Sequence, residues 1–362
     1  NAFNFPGWGL GEKAACALLA GMPIVVKPAT ATALVTFRIV ELIVEANILP
    51  KGALSLITGS PGNVTELLRG EDVLSFTGGG NTATTLRGQQ PVVRDSVRVN
   101  VEADSLNAAI LGPDTEIGSD TYGAFVRDVV RDITQKTGQK CTAIRRIFVP
   151  AQHLAAVQAD LVERLGEFVV GDPNVDGVTM GPVATAAQLR DVRAGLERLA
   201  TESERVLGEG KLAPKGVPDG KGYFVPATLF VQRDPKKSGL AVHEHEVFGP
   251  ASTVMPYETN ADAVEFVRRG GGGLVSSLYA DDRKVIAEIA LGIASAHGRV
   301  AVTSGKIADQ TVGPGTVLPH SIHGGPGRAG GGEELGGLRG LSFYSQRTAI
   351  QGDRAILDAI LS

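Results

Sequence analysis

Short apolar runs alternate along the chain with longer stretches in which apolar residues recur at helical spacing. "PIVVK" (Pro23 to Lys27), "LSLIT" (Leu54 to Thr58), "VLSFT" (Val73 to Thr77) and "VRVNV" (Val97 to Val101) read as strands. Between them, Gly9 to Leu19, Thr32 to Ala46, Val64 to Arg69 and Asn81 to Arg87 read as helices. In the second of these, Leu34, Phe37, Val40, Ile43 and Val44 fall on one helical face. This βαβ rhythm predicts an α/β fold with a doubly wound parallel sheet in the first part of the chain. A second α/β unit begins near Asn107: "NAAIL" is a strand, Asp120 to Thr134 a helix and "AIRRIFV" a strand. The glycine-dense "HGGPGRAGGGEELGGLRG" (His323 to Gly340) carries bulky and charged residues at fixed places, which predicts an ordered loop rather than a linker. "LSFYSQRTAI" after it predicts an edge or interface strand.

Composition narrows the class. A chain of 362 residues, 43% hydrophobic and 20% charged, is a globular one. The formal net charge of −4 gives no basic footprint for nucleic acid. No apolar run is long enough to cross a bilayer, so no membrane partner is expected. Two cysteines without a CxxC exclude a disulfide framework and a cysteine zinc site, and fit a reducing, cytoplasmic setting. The chain opens on "NAFNFPGWGL", with no initiator methionine or signal pattern, and reads as starting inside a domain.

Several stretches then compete as sites. "GWGLGE" places Gly7 and Gly9 as a dinucleotide fingerprint would, but Glu12 stands at its third position, so its glycines read as turn and packing residues. No phosphate-cradling GxxxxGK[ST] occurs. Lys27 ends a buried strand, where α/β proteins bind ligands; by position alone a solvated lysine is the commoner case. "FTGGGN" (Phe76 to Asn81) opens a helix and could hold a phosphate on backbone N–H groups, or be an ordinary glycine-rich connection. No metal is expected. His243 and His245 alternate about Glu244, and His320 and His323 have no third ligand in view. Cys16 sits in "AACALLA" and reads as packing. Cys141 lies among Lys140, Arg145 and Arg146, cations that favour a thiolate, so a reactive and a structural role stand level. Glu102, at the end of "VRVNV", is a carboxylate placed to face a crevice or to lie on the surface.

Taken together, "NFPGW", "VKPAT", "FTGG", "GQKC", "GYFVPATLF" and "EVFGP" resemble, in order, the motifs of the aldehyde dehydrogenase superfamily. "NAFNFPGWG", "EADSLN", "GQKCTAIRR" and the glycine-dense segment resemble one branch of it, the semialdehyde dehydrogenases of CoA-linked aromatic degradation. The resemblance implies a cofactor domain over residues 1–103 lacking its N-terminal part, a catalytic domain over 104–330, and a C-terminal loop and oligomerisation strand over 331–362. It implies Cys141 as nucleophile, Asn4 with the Cys141 N–H as oxyanion hole, and Glu102 as general base, with Glu334 as a helper in proton movement. Lys27, Pro28, Thr30, Thr77, Gly78, Gly79, Glu246 and Phe248 are implied in cofactor binding. "EADSL" departs from the common ELGGK, and Glu102 lies a few residues further from the cysteine than usual; Asp104 is the alternative carboxylate. Thr30 stands where many NAD-preferring relatives have glutamate, so NADP is the expected cofactor and NAD the alternative. The expected substrate is a CoA-linked aldehyde, with a free aliphatic or aromatic aldehyde as the alternative, and the expected partners are a second copy of the chain and a fused hydratase domain not present here. A thiol hydrolase using the same cysteine, and an inert fragment, are the rival readings.

Overall fold

A computed structural model of the chain describes residues 1–318, 320–334 and 337–361. Near the N-terminus, α1 (Pro6–Leu19) packs on α2 (Ala33–Glu45). α1 starts earlier than the pattern predicts, because Pro6 at its first position has φ preset and no N–H to satisfy. A Cβ on Gly7 would stand 3.2 Å from Ile39, so this glycine serves helix packing as expected. β1 (Ile24–Val26) pairs in parallel with β2 (Leu54–Leu56), and β3 (Val73–Thr77) with β4 (Arg98–Glu102). Helices α3 (Gly80–Arg87) and α4 (Gln90–Arg94) connect β3 to β4. The helix expected over Val64 to Arg69 is a short 3-10 turn, Val64–Leu67.

The strands expected in the first part are therefore present and parallel, but they form two separate pairs rather than one sheet. Val25, Leu34, Val35, Leu42 and Val44 are exposed. The burial that welds short strands into a wider sheet is missing on that side.

The continuous parallel sheet lies further on. Its strands are β5 (Ala108–Leu111), β6 (Arg146–Pro150), β7 (Glu204–Leu207), β8 (Thr228–Val231), β9 (Ala251–Tyr257), β10 (Gly273–Tyr279) and β11 (His297–Thr303). They run in the order β11-β10-β5-β6-β9-β8-β7, parallel except for the β7–β8 edge pair. Every residue of β5, β6 and β10 is buried, as expected for central strands covered on both faces. One face carries α5 (Asp120–Thr134) and α6 (Leu154–Gly166), which bury Phe125, Ile133 and Leu161 against Ile147 and Val254. The other carries α7 (Ala186–Ala200), α8 (Asn260–Arg268) and α9 (Arg283–Ala294), with Leu196, Phe266 and Ile289 against Phe148 and Met255. Each such large side chain contributes about 1.5–3 kcal/mol.

The glycine-dense segment is ordered. It forms a hairpin of β12 (His323–Gly324) and β13 (Glu333–Glu334) laid against β4: Gly332 N–H donates to Val101 O (2.9 Å) and Ala103 N–H to Ala329 O (3.0 Å). Added side chains at Gly330 and Gly332 would overlap the Val101 carbonyl, and one at Gly298 would overlap that of Gly324. Beyond it, the strand expected in "LSFYSQRTAI" is not formed. Leu338–Phe343 is helix α10, residues 344–353 have no regular structure, and α11 (Arg354–Leu361) follows. A strand needs a neighbouring ladder, and here the Phe343 and Ser345 carbonyls accept instead from the Arg98 guanidinium (2.6 and 2.9 Å).

Candidate active site

The loop carrying Cys141 is fixed from α5. Ser119 caps that helix by accepting from Tyr122 N–H, and Tyr122, Phe125, Val126, Val129 and Ile133 bury its inner face. The chain then turns through three left-handed residues, Lys136 (φ 54°), Thr137 (φ 54°) and Gly138 (φ 68°). A threonine in this region is strained, and its hydroxyl is held by the Gly181 carbonyl at 3.0 Å. A Cβ on Gly138 would overlap the Gly249 carbonyl, so the glycines of "GQKC" and "EVFGP" touch. The buried Arg145 fastens both turns, donating to Gly249 O and Gly138 O at 2.8 Å each, with Glu246 Oε1 3.5 Å from its Nε. Asn107, fully buried at the head of β5, donates through Nδ2 to the carbonyls of Cys141 (2.8 Å) and Ala143 (2.9 Å).

Three side chains meet at the sulfur. Glu102 ends β4 and is 2% exposed. Its Oε2 lies 2.9 Å from His323 Nε2, and the same ring nitrogen lies 3.6 Å from Cys141 Sγ. One donor atom from each of the three lies within 4.8 Å of the others. The 2.9 Å separation is hydrogen bonding; two donors on one tetrahedral zinc sit about 3.3 Å apart. Burial pushes the Glu102 carboxyl up, but the charge and hydrogen bond of His323, with Lys13 behind, outweigh it and hold the group below the usual range. Burial lowers the His323 ring, and Glu102 and Cys141 reverse this and raise it well above the ordinary value. Burial and the Glu102 charge push the Cys141 thiol up to about 11. This overturns the expectation that neighbouring cations depress it. Lys140 Nζ is turned to Asp132 (2.8 Å) and Gln135 (2.9 Å), Arg145 faces Glu246, and Arg146 is buried against the carbonyls of Leu106, Phe266 and Val267.

Asn4 lies on the same loop: its Nδ2 donates to Gln139 O at 3.1 Å, and Lys136 Nζ donates to its carbonyl. An amide nitrogen carries two hydrogens, so one is left over. Among the described residues the Cys141 N–H has no hydrogen-bond partner. Phe248 stacks edge-on with Phe3 at 5.8 Å, and its carbonyl accepts from Gln139 Nε2 at 3.2 Å. A cavity of about 1470 Å³ opens beside Asn4, Lys136 and Gln139 and runs between α5 and α6 past Arg127, Arg131 and Arg164.

The remaining expected residues lie at two strand ends. Lys27, followed by the buried Pro28, and the exposed Thr30 come after β1; Thr77, Gly78 and Gly79 close β3. Thr77 Oγ1 accepts from Lys13 Nζ (2.9 Å) and Gly78 N–H donates to Glu102 O (3.1 Å). The first N–H of α3, on Gly80, is taken by Asp104 Oδ1 at 2.9 Å. Asp104, the alternative to Glu102, is thus turned to a helix start, and of the two readings of this turn a carboxylate already takes the N–H that a phosphate could have used. Glu246 is held by Ser105 N–H (3.0 Å) as well as Arg145, and burial raises its carboxyl to about 7. The Glu334 side chain lies outside the described residues.

Sequence reasoning set His323 aside with His320. The structure separates them, His320 exposed and His323 buried on the sulfur. The available signal was a histidine opening a glycine-dense segment, since glycines in such number mark close backbone approach. Asn107 was also missed, although "EADSLN" contains it. Of the histidines expected not to hold a metal, His243 accepts from Arg146 Nη1 through Nδ1 at 3.1 Å.

A sequence model of the Aldehyde dehydrogenase family matches residues 1–350. The chain is 44% identical over 327 residues to the 3,4-dehydroadipyl-CoA semialdehyde dehydrogenase of Aromatoleum evansii, covering 90% of this chain and 63% of that protein. It is 40% identical over 183 residues to protein MaoC of Klebsiella aerogenes, covering 50% of this chain and 52% of that one. The chain therefore spans less than two thirds of these relatives. Among solved structures, an aldehyde dehydrogenase C mutant of Pseudomonas syringae, complexed with NAD+ and octanal, superposes with a TM-score of 0.79 at 27% identity, over 94% of this chain and 66% of that one. Lactaldehyde dehydrogenase of Escherichia coli, at 24% identity and a TM-score of 0.81 over 95% and 67%, shares the fold. Matched over nearly its whole length, this chain belongs to the aldehyde dehydrogenase family.

Proposed function

We propose that the chain carries the centre of an NADP-dependent dehydrogenase that oxidises an aldehyde to its acid through a thioester on Cys141. One observation carries this reading: the Cys141 sulfur and the buried Glu102 carboxylate lie within 4.8 Å of each other while, among the described residues, the nucleophile's own N–H has no partner. The sulfur, once ionised, adds to the carbonyl carbon. The resulting oxyanion is met by the Cys141 N–H and the second hydrogen of Asn4 Nδ2, donors worth about 2.7–4 kcal/mol each in such sites. A nicotinamide dinucleotide, when bound, would supply the acceptor for the hydride that the carbon must lose. Glu102, through its unpaired Oε1, takes a proton from the water that attacks the thioester.

The residues present fit that dinucleotide by donor chemistry. Among the described residues the Lys27 ammonium has no hydrogen-bond or ion-pair partner, and Thr30 after it is exposed. Thr30 and Lys27 would not repel a ribose phosphate, which supports NADP over NAD. The likeness to the Aromatoleum evansii enzyme supports a CoA-linked semialdehyde as substrate. The arginine-bordered cavity offers room for a large anionic substrate arm. The branch resemblance supports a second copy of the chain and a hydratase as partners.

The hydrolase alternative loses ground on geometry. A triad histidine uses one ring nitrogen for the nucleophile and the other for the acid. Here Nε2 faces both, and Nδ1 is buried without a partner. The test is spectrophotometric: aldehyde-dependent growth of reduced cofactor, with kcat/KM higher for NADP than NAD, and no turnover from Cys141→Ala. Acid formed without reduced cofactor refutes the dehydrogenase, and a strong NAD preference refutes the cofactor assignment.

A further inference from the structure

We propose that His323, held as an imidazolium, is the shared counter-ion of Cys141 and Glu102, a positioning residue that lets one proton pass between them at constant net charge. This rests on the reading of Cys141 as nucleophile and Glu102 as base. The geometry is specific. A single Nε2–H faces the Glu102 carboxylate at 2.9 Å and the sulfur at 3.6 Å. Glu102 is 2% exposed and His323 6%, so a carboxylate there needs a cation in contact, and His323 is the residue that touches it.

The transfer balances. The S–H bond of Cys141 breaks, its electron pair stays on sulfur, and the proton forms an O–H bond on Glu102. Before it the pair is imidazolium and carboxylate; after it, imidazolium and thiolate. The charge to be stabilised moves across the ring from oxygen to sulfur, and no buried ion is left unpaired. The proton on Glu102 must then pass to solvent before the same carboxylate can serve water in the second half-reaction.

The backbone that carries the ring is pinned from both sides. Its strand pairs with β13 and abuts Gly298, while Arg299 Nη1 holds the Ile322 carbonyl at 2.9 Å. The other charges felt in the pocket are Glu12 and Lys13 from α1, Lys136 and Arg145 around the nucleophile loop, and Arg299 from β11. They are common to every variant below and cancel in the comparison.

The test is the pH dependence of Cys141 alkylation by iodoacetamide in the full chain carrying Cys16→Ser, so that one thiol reports. The reading needs no hydride transfer, so a chain that fails to oxidise aldehydes leaves it interpretable. His323→Gln keeps a donor but removes the charge. Its inflection moves up by about one pH unit or more, and alkylation at neutral pH slows about tenfold. Glu102→Gln removes the opposing anion and moves the inflection down. Opposite shifts support the proposal; general damage to the pocket would move both variants the same way. A His323→Gln profile that superimposes on its parent overturns it, as does a Glu102→Gln inflection that stays or rises.

Discussion

Asn4 gives one amide hydrogen to the carbonyl of Gln139, two residues before the nucleophile, and keeps the other. Asn4→Ala removes that donor without touching the sulfur. Its kcat should fall about 10²–10³-fold with KM little changed, as read in steady-state assays. A loss below about tenfold would remove Asn4 from the oxyanion hole. At this scale the sequence pointed to residues inside contiguous motifs, because Asn4, Glu102 and Cys141 each stand in a recognisable local string. His323 was illegible for a physical reason: its meaning lies in a contact with a residue 182 positions away. The thiol's environment was misread for a related one. Lys140 and Arg145 are neighbours of Cys141 in sequence, but their charges are consumed by Asp132 and Glu246, which a linear reading cannot see.

Turns and hairpins, rather than helices, decide the site's shape. Gly138 is left-handed and has no room for a side chain, whereas Gly123 lies in α5 with nothing within 4 Å of an added Cβ. The same substitution therefore has opposite signs at the two places. Gly138→Ala should cost roughly 1–3 kcal/mol from the backbone alone and lower activity by shifting the nucleophile loop. Gly123→Ala should gain roughly 0.5–1 kcal/mol. Urea midpoints of the two variants check both, and equal midpoints would contradict the contact between the two turns. Helix α5 was legible over its full span, Asp120–Thr134. The tail was not, since "LSFYSQRTAI" has strand composition but its carbonyls are claimed by Arg98.

In the molecule as a whole, buried titratable groups set the response to acid. His297 donates from Nδ1 to Ile293 O (3.2 Å), and its Nε2 lies 2.9 Å from the Ser276 hydroxyl, which donates to it when the ring is neutral. Burial lowers its value from 6.5 to about 4. Its contribution is thus complete above 6.5 and is lost as pH falls toward 4. Glu246, raised to about 7, acts in the opposite sense and weakens the fold as pH rises to that point. Because the Glu246 contribution is common to both proteins, the thermal midpoint of the parent relative to that of His297→Gln should fall as pH drops through this window; parallel curves would refute the assignment. At this scale the α/β class was legible from the order of elements, but the division of the first strands into two pairs was not, because it depends on which apolar faces find cover. The hairpin bearing His323 is translated long after Cys141 and the strands flanking it. It follows that a growing polypeptide presents an ordinary thiol, open to electrophiles and oxidants, while the segment between Cys141 and His323 is being made, and acquires its chemistry only when the later-made hairpin docks.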